Sequence, residues 1–292
     1  MSNVREVLER TPPPILYHYT TQQGLLGIIN DKEIWATHTQ YLNDVREFRH
    51  ALDLAKEELS AMQNEPARNE RERTCLAEME RALLPGMERI NVCVCSFSEH
   101  GDVLSQWRAY GGSASGFAIG FSGDFLRKTA TDYGWLVPVI YDEQDQRELV
   151  RTLLEDVLGE NLKRSNEKPE GYSVLGGNLV DYLYRYAPIL KHKSFKEECE
   201  WRIVTRPLIF VDDRFRYRTG TSMLIPYYRL PLGNEEALGI QEVIIGPTPY
   251  PEQSHRSING LLLKNEFVTD AIPWRRNSAV TIKSSQIPYR TW

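Results

Sequence analysis

The run Glu197-Glu198-Cys199-Glu200-Trp201-Arg202-Ile203-Val204 holds the densest potential chemistry in the chain. Read as a strand over 198–205, its alternate side chains point to opposite faces. Glu198, Glu200 and Arg202 then form one row, and Cys199, Trp201 and Ile203 form the other. Two carboxylates that close raise each other's pKa unless a cation or ligand lies between them. Three uses fit such a row. It is a solvated sheet face neutralised by Arg202, a pair of ligands for a divalent metal, or a pair of carboxylates that stabilise an oxocarbenium-like centre in glycosyl transfer. The sequence has neither a D-x-D nor an H-E-x-x-H pattern, which favours the third use over the second.

Other segments carry candidates of the same kind. In Tyr17-His18-Tyr19-Thr20, the period of two puts both tyrosines on one face and His18 on the other. A neutral imidazole offers one donor and one acceptor, which suits either a packed core position or sugar hydroxyls. Ser96-Phe97-Ser98 places two hydroxyls on one face, for local backbone bonds or for a pocket. In Gln106-Trp107-Arg108-Ala109-Tyr110, Trp107 reads as core, while Arg108 and Tyr110 are suited to gripping phosphate and stacking on a ring. Gly111-Gly112-Ser113-Ala114-Ser115-Gly116 is neither G-x-G-x-x-G nor G-x-S-x-G and precedes a strand, which argues against a Rossmann site and a hydrolase elbow.

The elements that must position these residues follow from pattern. Strands are predicted at 15–20, 33–37, 91–97, 115–121, 136–141, 198–205, 242–246 and 280–283. Helices are predicted over 21–29, from a cap at Asn43-Asp44 through Met62, onward to Pro85-Gly86, over 143–164 and 177–190, and over 251–263. Strands at both ends with helical segments between them predict an α+β fold. The chain reads as one domain over 1–292, with helical insertions at about 44–84 and 143–190.

Composition narrows the class. The 292 residues are 41% hydrophobic and 26% charged, a globular balance, with a net charge of −5 that gives no global basic field for a nucleic-acid backbone. Cys75, Cys93, Cys95 and Cys199 form no C-x-x-C pair, and are expected as reduced, mostly buried thiols. No apolar leader or spanning stretch is evident, so a cytoplasmic protein with no membrane partner is expected.

Taken together, the segments resemble a family of bacterial proteins known as DUF2971. The residues that carry the resemblance are Tyr17–Thr20, Cys95–Ser98 with Asp102, Gln106–Gly111, Gly116–Phe121 and Lys193–Arg202, across about 15–290. The order His18, Ser96/Ser98, Glu198/Glu200 is also similar to the ADP-ribosyltransferase superfamily. That resemblance implies a core of two small packed sheets and NAD as substrate. His18 would bond the adenosine-side ribose, with Tyr19 and Thr20 beside it. Ser96 and Ser98 would support the nicotinamide pocket and the catalytic glutamate. Glu200 would hold the ribose 2′-hydroxyl and stabilise positive charge, and Glu198 would orient or deprotonate the acceptor. Arg108 would hold pyrophosphate, Tyr110 would stack on nicotinamide, and no metal would be needed. The acceptor is left open among protein, nucleic acid and small molecule, as is the oligomeric state. A role in toxin or phage-defence biology belongs to the resemblance alone. Two alternatives stand beside it: a metal-dependent nuclease or hydrolase using Glu198, Glu200, Asp102 and His18, and a non-catalytic nucleotide-sensing module.

Overall fold

The computed structural model describes residues 8–42, 46–83, 91–111, 115–167, 179, 183, 185–232, 236–267, 269 and 280–289. Among the described residues ten strands run in chain order: β1 (Ile15–Thr20), β2 (Glu33–His38), β3 (Cys93–Ser98), β4 (Phe117–Ser122), β5 (Gly134–Pro138), β6 (Glu200–Thr205), β7 (Phe215–Thr219), β8 (Leu224–Pro231), β9 (Ile240–Ile245) and β10 (Thr281–Ser284). The helices include α1 (Gln22–Asp31), α2 (Arg46–Gln63), α3 (Glu70–Ala82), α4 (Leu104–Tyr110), α5 (Gly123–Tyr133), α6 (Glu143–Glu167) and α7 (Pro251–Lys264). The mixed content agrees with the α+β expectation. The proposed caps at Asn43-Asp44, the stop at Pro85-Gly86 and six of the fourteen positions of the expected 177–190 helix lie outside the described residues, and the described end of that stretch is a 3-10 turn, Ala187–Ile189.

The ladders differ from the expected pair of separate sheets. They join into one ten-stranded system, ordered β10-β9-β4-β1-β3-β2-β8-β7, with β6 and β5 reached through β3. The cause is β3, which takes three partners. β6 pairs antiparallel along it from Val94 to Ser98. On the opposite edge β2 meets Cys93 and Val94, while β1 meets Ser98 alone. β1 and β2 therefore diverge, and the edge of β3 between them is left open.

Two apolar layers sandwich this junction. One packs Leu16, Cys95, Phe97, Phe121, Trp201 and Ile203 with α1 and α7. The other packs α2, α3 and α6 through Leu54, Leu59, Leu76, Leu154 and Val157 onto Val94 and Val204. The two helical insertions thus form one lobe on the sheet. Its outer surface is laced by ion pairs, including Arg147 to Glu57 at 2.8 Å and Arg147 to Glu58 at 3.1 Å. Cys75, Cys93 and Cys95 are buried free thiols, and burial pushes their pKa values up.

Among the described helices and strands, α4, α5, β7 and β8 escaped the sequence patterns. α5 starts at Gly123 behind an N-cap, Ser122, whose hydroxyl accepts from the Phe125 amide at 3.4 Å. β8 carries Pro226 and Pro231, which argue against a strand. Pro226 is tolerated because its partner is Tyr217 of β7, and the β2 ladder stops one residue away at Tyr227.

Candidate active site

The open edge of β3 lines a cleft of about 1150 Å³. His18, Tyr19, Thr20, Ser96, Ser98, Tyr110, Glu198 and Glu200 all contribute to its wall. Arg108 does not. It is exposed, and its guanidinium lies over the Tyr289 ring at 5.0 Å. The phosphate-gripping role expected for Arg108 therefore has no support in its placement: α4 turns Tyr110 toward the cleft and Arg108 away from it.

The glutamate row is built differently from the expected strand. β6 begins at Glu200, and Glu198 ends a short 3-10 turn, Lys193–Glu198. Between them Cys199 takes a left-handed conformation at φ 41°, a position that costs a non-glycine residue about 1 kcal/mol. That turn, rather than the pleat, brings both carboxylates to one cation. Lys191 Nζ donates to Glu198 Oε2 at 2.6 Å and to Glu200 Oε2 at 2.8 Å. Arg202 adds Nε to Glu200 Oε1 at 2.7 Å and Nη2 to Glu200 Oε2 at 3.0 Å. Glu200 is only 6% exposed and Arg202 2%, which excludes the solvated-face use of the row.

Electrostatics separate the two carboxyls. Burial opposes charge on Glu200, but Arg202 and Lys191 outweigh it and hold the group at about 2. At Glu198 burial wins over Lys191, and the pKa is raised. Burial lowers the pKa of Lys191, but Glu200 and Glu198 reverse this and the net shift is upward. The two carboxyls are thus pushed in opposite directions.

β3 sets the remaining geometry. Ser96 pairs with Arg202 and Ser98 with Glu200, so these four share a face, with Val94 and Val204 continuing it under the helical lobe. The Ser98 hydroxyl donates to the Glu198 carbonyl at 2.7 Å and accepts from the His100 amide at 3.1 Å. It fixes the backbone beneath Glu198. His18 sits on the opposite face, 5.7 Å from the Phe97 ring centre. Its Nδ1 meets the Ser96 carbonyl at 2.9 Å across the gap left by the diverging strands. A carbonyl only accepts, so Nδ1 carries the proton. Burial lowers the His18 pKa, and in the neutral ring Nε2 is then an acceptor. The cleft thus wraps around the β3 edge, with His18 on one side and Glu200 on the other. Tyr17 and Tyr19 share the other face, as expected. The Tyr17 hydroxyl donates to Glu242 at 2.7 Å, and the Tyr19 hydroxyl donates to the His100 carbonyl at 2.8 Å.

Sequence reasoning missed Lys191, Tyr141 and Gln146. The Tyr141 hydroxyl accepts from the Glu200 amide at 3.0 Å. Nothing in Lys191-His192-Lys193 distinguishes the first lysine. It is placed by the bridge between Ile140 and Leu190, a contact no local pattern announces. Asp102, a ligand in the metal alternative, is committed elsewhere. Its carboxylate accepts from Trp107 Nε1 at 2.7 Å, Ser285 Oγ at 2.6 Å and the Gln286 amide at 2.8 Å. Among the described residues no group of three or more His, Cys, Asp or Glu is placed to hold a metal.

The fold and cleft define a mixed α/β protein with a charge-paired carboxylate site at a split in its sheet. The family model described as "Protein of unknown function (DUF2971)" matches residues 106–203, about a third of the chain and the part that contains Tyr110, Tyr141, Lys191, Glu198 and Glu200. No curated protein and no solved structure gives a significant match. Among the described residues no helix is long and apolar enough to cross a membrane.

Proposed function

We propose that this chain is an NAD-dependent ADP-ribosyltransferase-like enzyme. The observation that carries the proposal is that His18, Ser96 and Glu200 line one cleft, although they come from three strands far apart in sequence. Neutral His18 has Nε2 left to accept a ribose hydroxyl. Glu200 has about four acceptor sites, of which Arg202 and Lys191 fill three. One remains on Oε1 for a ribose 2′-hydroxyl. In the reaction the bond from C1′ to the nicotinamide nitrogen breaks, and its electron pair leaves with nicotinamide. An acceptor lone pair forms the new bond to C1′, and the acceptor's proton passes to Glu198. Tyr110, at the cleft wall, would stack on the leaving ring. The leaving group starts as a cation, so departure needs no metal. A place in toxin or phage-defence biology is proposed on resemblance alone.

Nicotinamide release from NAD tests this. Glu200→Gln is expected to reduce release by roughly 10²–10³-fold, the scale of losing one preorganised electrostatic group. Release unaffected by that substitution would sink the mechanism.

One observation favours a second reading. Lys191 and Arg202 balance Glu198 and Glu200 one for one, so the quartet adds little net negative charge toward a developing cation. A nucleotide-sensing module needs only that the cleft bind. A rise in melting temperature with NAD and no nicotinamide release would decide for it.

A further inference from the structure

The face of β2, β8 and β7 that adjoins the cleft carries groups that NAD cleavage does not use. Register sets Trp35 opposite Arg229 and Thr37 opposite Tyr227, then Tyr227 opposite Arg216 and Ile225 opposite Arg218. Directly opposed residues share a face. The Trp35 indole stacks on Tyr227 with ring centres 4.2 Å apart and planes at 26°. Its Nε1 donates to Glu33 Oε1 at 3.1 Å, and Glu33 accepts in turn from Arg229 Nε at 2.6 Å. The ring is held from behind and along its edge, yet it is 42% exposed. Beside it Arg216 and Arg218 are exposed, and neither forms an ion pair with a carboxylate among the described residues. Both lie close enough to act on the Tyr227 hydroxyl. Trp35, Thr37, Arg218 and Thr219 line the same cleft as Glu200.

A rigid open indole takes the flat face of a base, and guanidiniums without carboxylate partners take phosphates. Stacking of this kind needs a base face that a duplex hides. We propose that this face binds single-stranded nucleic acid and seats it as the acceptor beside Glu198 and Glu200. The acceptor role rests on the transferase reading above; the binding does not. With a chain charge of −5, attraction is local to the two arginines and falls steeply with salt.

The test titrates the full chain, without NAD, into short labelled single strands of DNA and of RNA, the matching duplexes, and polyglutamate, following anisotropy at several salt concentrations. Single strands are expected to bind at least about tenfold tighter than duplexes. Polyglutamate, which offers charge without bases, is expected to be equally weak. R216E/R218E should weaken binding and lower the salt slope by about 1.4, the share of two phosphates on a single strand. Trp35→Ala should weaken it about tenfold. The arginine pair is exposed, so that variant keeps the test sound even if loss of the indole disturbs the sheet. No single-strand binding, equal binding of duplex or polyglutamate, or binding indifferent to R216E/R218E would overturn the proposal. Single-strand binding without nicotinamide release supports this face and overturns only the transferase reading. Release without binding does the reverse. The DNA and RNA arms identify the sugar.

Discussion

The side-chain amide of Gln146 donates to the backbone carbonyl of Lys191 at 2.8 Å, in a fully buried contact between the helical lobe and the candidate site. The same amide nitrogen donates to the Ile140 carbonyl at 2.7 Å, and Oε1 accepts from His50 at 2.8 Å. α6 therefore holds the segment that delivers the Lys191 ammonium to both glutamates. Gln146→Leu would leave the buried Lys191 carbonyl without its donor, at about 1–3 kcal/mol, while the Ile140 carbonyl keeps the Lys191 amide at 3.1 Å. A loss of about 2 kcal/mol in urea unfolding is expected, and a loss below about 1 kcal/mol would show that Gln146 does not position Lys191.

In the proposed mechanism, Lys191 is the cation that keeps Glu198 usable as a base. Burial already raises the Glu198 pKa, and Lys191 is the first influence opposing it. Lys191→Met removes that opposition, so Glu198 is protonated over a wider range. The base limb of the transfer pH profile is expected to move to higher pH, with about tenfold loss or more at neutral pH. An unchanged midpoint with a uniformly lower rate would assign Lys191 a purely structural role.

Much of this site was legible in the sequence because it rests on local alternation. Tyr17-His18-Tyr19 and Ser96-Phe97-Ser98 are short strand runs whose facing follows from the period of two. The row at Glu198 failed for a local reason. A left-handed residue at Cys199 ends the pleat, and only Glu200 and Arg202 belong to β6. Lys191 and Gln146 were hidden for a different reason. Each reaches the site through a bond spanning the α6–Leu190 return, and such contacts leave no periodic trace. The β7–β8 hairpin was missed because Pro226 looks disqualifying until the ladder is seen to stop short of it. Arg108 misled because adjacency to Tyr110 in sequence does not put two side chains of a helix on one face.

Acid titration separates the two carboxyls by sign. The pKa of Glu200 falls from 4.5 to about 2 on folding. Its contribution is present above the unfolded value and lost as pH falls from 4.5 toward 2. That group amounts to ~3 kcal/mol over the window. The Glu198 value is raised, so its contribution is present below the unfolded value and lost as pH rises through the folded one. The stability difference between wild type and Glu200→Gln should shrink on acidification. The difference between wild type and Glu198→Gln should grow in favour of wild type. Unfolding midpoints measured across that range check both, and slopes of the same sign would contradict the split.

Arg202 grips Glu200 through a planar fork, Nε on one carboxylate oxygen at 2.7 Å and Nη2 on the other at 3.0 Å. Its remaining nitrogen, Nη1, donates to the Pro188 carbonyl. Removing one partner of a buried ion pair costs about 3–5 kcal/mol, because the other charge stays behind in low dielectric. Arg202→Leu is expected to lose that much. Arg202→Lys retains the charge but not the fork, and it sets a second ammonium near Lys191. The lysine variant should therefore recover only part of the stability, and its Glu200 should titrate above the wild-type value of about 2. Unfolding free energies, with carboxyl titration followed by NMR, check both points. Full recovery by lysine would mean that charge alone holds Glu200, and that the bidentate geometry along β6 contributes nothing to its orientation.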